Sequence, residues 1–131
     1  FLIASYLSLT SNCSLIAVSY CLLFIPNQRI SLSKFRCGSN KLPINKFKFS
    51  RIAADKLCPF CNRHEFGFFI GNEFHFLFEC GTFAQERQIY LKSYFRVRPN
   101  AFKIKQLFNS TNQKTLINLA KFCSLIIKKF Q

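Results

Sequence analysis

The chain has 131 residues, with 19 Lys and Arg against five Asp and Glu, so its formal net charge at neutral pH is +14. This length excludes two ordinary domains with separate cores and supports one modest domain with appendages. Because residues 1–28 carry no charge, the whole positive charge falls on residues 29–131. Such a segment favours nucleic acid, an anionic membrane surface or an acidic partner, or is a solvated cationic surface without a specific partner.

Residues 1–28 form an apolar flank. The uncharged run 1–26 is long enough to cross a bilayer as a helix, with the positive charges from Arg29 onward on the cytoplasmic side. Ser, Thr and Asn side chains dilute the run, and its purely apolar stretch, 22–25, is short. A buried helix or strand pair is therefore the alternative to a transmembrane helix. Residues 29–57 are basic, and Gly38 and Pro43 predict turns around short irregular segments there.

The middle of the chain carries a metal-ligand pattern of the form C-x2-C-x13-H-x4-C, with Cys58, Cys61, His75 and Cys80 as the ligands. Three thiolates and one imidazole at this spacing predict a tetrahedral Zn²⁺ site. Four protein ligands leave no open position for water, so this zinc would be structural. His64 is a competing nitrogen donor, which we expect to lie exposed in the loop.

A zinc-binding module over 58–95 follows from this pattern. The loop between the ligand pairs contains Gly67 and Gly71 around apolar residues, which favours a short hairpin. Five residues of α-helix turn through about 500°, so His75 and Cys80 cannot share one face of a straight helix. One of them is expected at a helix end. The predicted fold is small α+β: a zinc-stapled knuckle or hairpin followed by amphipathic helices, with an apolar N-terminal helical flank.

Helices are predicted after the zinc ligands. Thr82 can cap a helix through Phe95, and residues 96–131 are expected to form the C-terminal helices. Asn100 is a candidate cap for a short helix, and Ser110 with Gln113 has capping-box spacing before the last one. The apolar stripe predicted for this last helix consists of Leu116, Leu119, Ala120, Cys123, Ile127 and Phe130.

The sequence favours a non-enzymatic protein without a small-molecule substrate. Its acidic residues are scattered, which disfavours paired-carboxylate catalysis. A catalytic Cys-His dyad would need the same residues that are predicted to bind the metal. The C-x2-C pair among Lys and Arg is typical of a reducing compartment, the nucleus or cytoplasm if the chain is soluble, or a membrane if 1–26 inserts. The remaining cysteines have no regular spacing, which disfavours a secreted disulfide scaffold.

Several stretches resemble a known family. The runs FRCGSNKLPI (35–44), LCPFCN (57–62), EFHFLFEC (73–80) and ERQIYL (86–91), with 102–119, resemble the C-terminal tail after the reverse transcriptase domain of animal non-long-terminal-repeat (LINE-type) retrotransposons. The resemblance covers about 33–130. It implies a non-catalytic zinc-binding accessory that contacts nucleic acid, with a basic strand or loop at Arg36 and Lys41. Asn40 stands where that family frequently has His and Asn45 where it frequently has Glu, which indicates a truncated or degenerate copy.

These observations combine in one hypothesis, a zinc-binding remnant of a retrotransposon reverse transcriptase tail that contacts RNA or DNA phosphates. The interleaved residues Phe35, Phe47, Phe49 and Phe60 could stack on bases, although core packing is the favoured interpretation for them. A single-span membrane protein with a basic cytosolic domain and a relic reading frame without selected function are the alternatives. The candidate phosphate contacts are Arg36, Lys41, Lys46, Lys48, Arg51 and Arg63.

Overall fold

The computed structural model describes residues 25–61 and 69–131. Its first described helix, α1, runs Pro26–Cys37, with Pro26 in the first turn, where its missing amide proton costs nothing. The helix ends at Gly38, whose positive φ of 65° lets the Ser39 amide donate back to the Lys34 carbonyl at 2.9 Å. The prediction of an irregular segment over 29–57 is therefore wrong for its first third, because Pro26 and Gly38 bound a helix.

Helix α2 is a single turn, Pro43–Lys46, and a 3-10 turn follows at Ala53–Lys56. Gly71 fixes α2 against the metal-ligand segment. Its carbonyl accepts from the Ile44 amide at 3.2 Å, and its amide donates to the Lys56 carbonyl at 2.8 Å. A Cβ atom at Gly71 would lie 2.8 Å from the Pro43 ring, so only glycine fits this close approach.

The predicted hairpin is not present as paired strands in the described residues. They contain an isolated antiparallel bridge between Leu57 and Ile70, while residues 62–68 lie outside the description. The described part of the chain is mostly helical, and the predicted α+β class is not confirmed there. After Gly71 the chain enters a π-helical turn, His75–Glu79.

The helix predicted from Thr82 to Phe95 is broken into three parts. A 3-10 turn, Gly81–Phe83, leads into α3, Ala84–Tyr90, and the chain extends at Leu91 before α4, Ser93–Arg96. The Leu91 carbonyl, freed from the helix, accepts a hydrogen bond from Arg96 Nε at 3.1 Å. This break buries both Leu91 and Phe95, and it leaves Tyr94 half exposed.

Two further helices complete the chain, α5 at Ala101–Phe108 and α6 at Gln113–Lys129. Asn100 caps α5 as predicted, accepting from the Lys103 amide at 2.9 Å. The predicted cap of α6 is wrong: Asn112, not Ser110, accepts from the Thr115 amide. Ser110 instead accepts from the Asn112 amide and stabilises the turn before the helix.

Helix α6 is the centre of the core, where α1, α3 and α5 pack against it. Its predicted apolar stripe is buried at Leu116, Leu119, Ala120 and Cys123 and partly buried at Ile127 and Phe130. The same core contains the metal-ligand segment. In residues 25–61 and 69–131, no helix is long and apolar enough to span a membrane. The span predicted for 1–26 lies almost wholly outside that part of the chain.

Candidate metal centre and cationic surface

Cys58 and Cys61 lie on either side of a tight turn. The Cys58 amide donates to the Phe69 carbonyl at 2.7 Å, next to the Leu57–Ile70 bridge, so the backbone of Cys58 is fixed. The turn over residues 59–61 then returns Cys61 towards the same side. Cys58 is fully buried and Cys61 is partly buried.

His75 and Cys80 come from the π-helical turn. The Cys80 amide donates to the His75 carbonyl at 2.7 Å, five residues back, and this wide turn brings the two side chains together. Asn72 starts the turn, because its side chain accepts from the His75 amide at 2.8 Å. Cys80 itself has an extended backbone and lies just beyond the turn, so the prediction that one of these ligands sits at a helix end is confirmed.

The structure brings all four predicted ligands together. Their donor atoms lie within 4.8 Å of one another, although 22 residues separate Cys58 from Cys80 along the chain. The Cys80 sulfur is 3.9 Å from that of Cys58 and 3.8 Å from that of Cys61. These residues could therefore hold a metal ion. Cys37, which is exposed, and Cys123, which is buried in α6, lie outside the cluster, and His64 falls in the segment that is not described.

His75 is the residue of the cluster that fits a metal ligand most clearly. It is 3 % exposed, and neither of its ring nitrogens has a hydrogen-bond partner in the described part of the chain. Buried polar atoms without partners are costly, so a native structure normally satisfies them with protein, water or an ion. The ring stacks on Phe69, with centroids 5.1 Å apart, and its Nδ1 faces the Glu79 carboxylate at 4.0 Å.

The three thiols differ in acidity. A hydrogen bond from the Cys58 thiol lowers the pKa of Cys80 well below its ordinary value, and the same contact, together with burial, raises the pKa of Cys58. Burial also raises the pKa of Cys61. Of the three thiols, Cys80 is the one whose surroundings favour the thiolate, and a bound cation would displace the protons of the others.

Arg87 is a residue that the sequence analysis missed. Its buried guanidinium donates to two carbonyls of the π-helical turn and to the Cys80 carbonyl just beyond it: Nε to Leu77 at 2.6 Å, and Nη2 to Phe76 at 3.2 Å and to Cys80 at 2.9 Å. Burial lowers the pKa of Arg87, but an arginine stays charged in proteins. It therefore places a positive charge beside the Cys80 thiolate and fixes the backbone that carries this ligand. Its sequence signal is its position four residues after Phe83 and four before Leu91, a helical spacing that places it on the apolar side of the segment.

A second polar group supports the start of the π-helical turn. Glu73 is fully buried, and its Oε1 accepts from Asn40 at 3.2 Å and from Asn45 at 2.6 Å. Asn45 also donates to the Asn40 side-chain oxygen at 2.7 Å. Asn40 and Asn45 thus link the basic segment to the metal-ligand segment.

The candidate phosphate contacts occupy one region of the chain but differ in exposure. The side chains of Lys41, Lys46, Lys48 and Arg51 are exposed, and none of the four forms an ion pair with another described residue. Arg36 is only half exposed, on α1, and Arg63 lies outside the description.

The neighbouring aromatic residues do not share one role. Phe35 is fully buried, and Phe60 packs on Phe83 and Phe130, so core packing is the correct interpretation for these two. It is wrong for Phe49, which is 91 % exposed.

Comparison with known proteins adds no relative to this description, since no family model, curated protein or solved structure matches the chain. The evidence for its function is therefore the Cys3His cluster and the exposed cationic residues of the chain itself.

Proposed function

We propose that the chain is a non-catalytic, zinc-stabilised module that binds RNA or DNA through phosphate contacts. The sulfur geometry supports zinc as the metal. In a tetrahedral site with Zn–S bonds of about 2.3 Å, two sulfurs are about 3.8 Å apart. The sulfur separations at Cys80 are 3.8 and 3.9 Å. Three thiolates and one imidazole are also the soft donor set that favours zinc over magnesium or calcium.

The zinc would be structural rather than catalytic. Cys58, Cys61, His75 and Cys80 supply a complete tetrahedral shell, and three of the four are buried. The carboxylate of Glu79 beside His75 Nδ1 suits this role, because a metal-bound imidazole commonly donates its other N–H to a carboxylate. Zinc here would fix the backbone of segments that have little regular secondary structure.

The exposed cations carry the nucleic-acid part of the proposal. Lys41, Lys46, Lys48 and Arg51 lie within eleven consecutive residues, and no carboxylate among the described residues pairs with them. The acids nearby are engaged elsewhere: Asp55 accepts from Ser50, and Glu73 is buried. The whole chain carries a net charge of +14. This surface therefore attracts a polyanion and keeps a positive potential.

The resemblance to the retrotransposon tail agrees with this function, and we include that origin in the proposal. It predicts a polymerase reading frame directly upstream of this sequence in the genome. A genomic flank without any polymerase remnant would remove the argument from origin but leave the argument from charge unchanged.

The test is a salt titration of binding to a labelled single-stranded oligonucleotide. Affinity of the full zinc-loaded chain should fall with a log–log slope of about 0.7 per phosphate contact, because each contact releases condensed counterions. Changing Lys41, Lys46, Lys48 and Arg51 together to Gln should weaken binding and reduce the slope by up to about 2.8.

A matched control removes the same charge from α6. The exposed residues Lys114, Lys121, Lys128 and Lys129 changed to Gln lower the net charge equally but lie outside the proposed surface. They should change the slope much less. Equal losses in both variants would show that the surface is wrongly assigned. If the zinc-loaded chain retains neither RNA nor DNA at low salt, the proposed function is wrong.

A further inference from the structure

Phe49 is the most exposed large hydrophobic side chain in the described part of the molecule, with 91 % of its surface accessible. Burying a phenyl ring stabilises a small domain. This one buries five Phe side chains completely, Phe35, Phe76, Phe83, Phe108 and Phe122, but not Phe49. A fully exposed phenyl group contributes nothing to the stability of the folded chain. Its position therefore needs an explanation outside the core.

The loop around Phe49 is fixed by hydrogen bonds on both sides. The Phe47 amide donates to the Pro43 carbonyl at 3.0 Å, and the Ser50 amide donates to the Phe47 carbonyl at 3.0 Å. The Ser50 hydroxyl then donates to Asp55 at 2.6 Å and accepts from the Ile52 amide at 3.2 Å. These hydrogen bonds fix the backbone in a conformation that directs the Phe49 ring into solvent.

Cations flank the ring along the same loop. Lys48 Nζ lies 5.6 Å from the Phe49 ring centroid, and Lys46 Nζ lies 5.2 Å from that of Phe47. Arg51 is exposed two residues further on. An aromatic face between positive charges is the arrangement that binds unpaired bases, because the ring stacks on a base while the cations neutralise flanking phosphates.

We infer that the nucleic acid is single-stranded and that Phe49 stacks on one of its unpaired bases. This inference rests on the proposed function and names its ligand class. In a duplex both faces of each base are already stacked, so the ring has no partner there and only the cations contribute. An anionic membrane is disfavoured because one ring and the exposed Ile52 side chain offer little apolar area for insertion.

The test compares one labelled DNA strand with the duplex formed from it, using the full zinc-loaded chain. Phe49→Ala should weaken single-strand binding by about 5- to 150-fold, the range for loss of one base–aromatic stack. Duplex affinity and the salt slope should not change, because no charge is removed. Phe49→Tyr should restore single-strand binding. Phe102→Ala, which removes an exposed ring on α5, is the matched control and should leave both affinities unchanged.

Fluorescence gives a second measurement. The sequence contains no Trp, so Phe49→Trp places a unique indole at the proposed stacking position. Single strands should quench its emission, whereas the duplex should not.

The possible negative results distinguish the stacking inference from the proposed phosphate-binding function. If Phe49→Ala weakens both DNA forms equally, or neither, while wild-type binding persists, the stacking inference is wrong and the phosphate-binding function stands. If wild type binds neither form, both are wrong. If phosphatidylserine vesicles bind through Phe49 and displace the single strand, the ring belongs to a membrane-binding surface, and the inference is again overturned.

Discussion

The ligand-bearing segment 58–80 and the helix α6 occupy the same core but are stabilised by different interactions. Helix α6 is a 17-residue α-helix with internal backbone hydrogen bonds and a continuous buried stripe. The described residues of 58–80 contain one isolated bridge and a π-helical turn, and they place a polar imidazole and three sulfurs in the interior. Burial of apolar surface accounts for α6. On the proposed function, the segment 58–80 needs a cation as well, because binding a cation offsets the desolvation of its buried donors.

The two parts are nevertheless joined by aromatic contacts. The Phe76 ring lies 4.9 Å from that of Phe130 and 6.1 Å from that of Phe83, and Phe83 lies 6.4 Å from Phe122 on α6. Loss of order at the metal ligands would therefore expose one face of α6. Helix α1 packs against α6 as well.

Metal removal should produce the largest effect. Structural zinc contributes on the order of 10 kcal/mol in small finger peptides, which is as large as the whole unfolding free energy of a typical domain. A strong chelator, Cys61→Ser or His75→Ala should therefore unfold 58–95, and far-UV circular dichroism should lose the cooperative melt while keeping residual helix from α1 and α6.

The matched controls for this experiment are Cys37→Ser, an exposed cysteine on α1, and His64→Ala. Both should retain the melt and, in the cobalt-substituted protein, the visible absorption of the wild type. An identical melt with and without metal would contradict the role of zinc. A cobalt spectrum that changes in His64→Ala but not in His75→Ala would contradict the ligand assignment.

Arg87 should have the next largest effect. Arg87→Ala removes a buried cation and leaves the carbonyls of Phe76, Leu77 and Cys80 without this donor. The expected loss is about 3 kcal/mol of stability in the zinc-loaded protein, measured by denaturant unfolding. Zinc affinity should fall about 10- to 100-fold in a chelator competition, as for other groups that orient metal ligands.

Arg87→Lys separates charge from geometry, because a lysine keeps the positive charge but cannot reach three carbonyls. If it restores the affinity fully, charge beside Cys80 is the dominant effect. Arg51→Ala, at an exposed arginine, is the control and should leave stability within about 0.5 kcal/mol of wild type. Unchanged zinc affinity in Arg87→Ala would show that Arg87 does not position the ligand.

The smallest effect is expected at the close approach between α2 and the ligand segment. Gly71→Ala places a Cβ 2.8 Å from Pro43, so one of the two backbones must shift at a cost of about 1–3 kcal/mol. Gly81→Ala is the matched control, since a Cβ there has no neighbour within 4 Å, and thermal melting should be nearly unchanged. Equal melting temperatures for the two variants would show that this contact is loose.

The ligand cluster could be predicted from the sequence because its chemistry depends on residue types at fixed spacing. Cys58, Cys61, His75 and Cys80 are close in space as expected. Helix α1 could not be recognised from its charge and from Pro26 and Gly38 alone, because proline and glycine are common in turns as well as at helix ends. The burial of Leu32 and Phe35 in the packing against α6 is what favours the helix.

Other details depend on tertiary packing. Ser110 and Asn112 can both cap a helix, and nothing local decides between them. The break at Leu91 interrupts a run with good helical spacing, because burying Leu91 and Phe95 in the core outweighs the hydrogen bonds of a continuous helix. Arg87 could not be identified because its partners are backbone carbonyls, which carry no sequence signature.

The hydrogen bond from the Cys80 amide to the His75 carbonyl has an evolutionary consequence. Because it closes a turn of five residues, it fixes the number of residues between these two ligands at four. Deleting one residue there would favour an ordinary α-turn and rotate the last sulfur by about 100° away from the other donors. Descendants of this module should therefore tolerate substitutions inside the turn far better than any insertion or deletion, and a search for distant relatives should penalise gaps there most heavily.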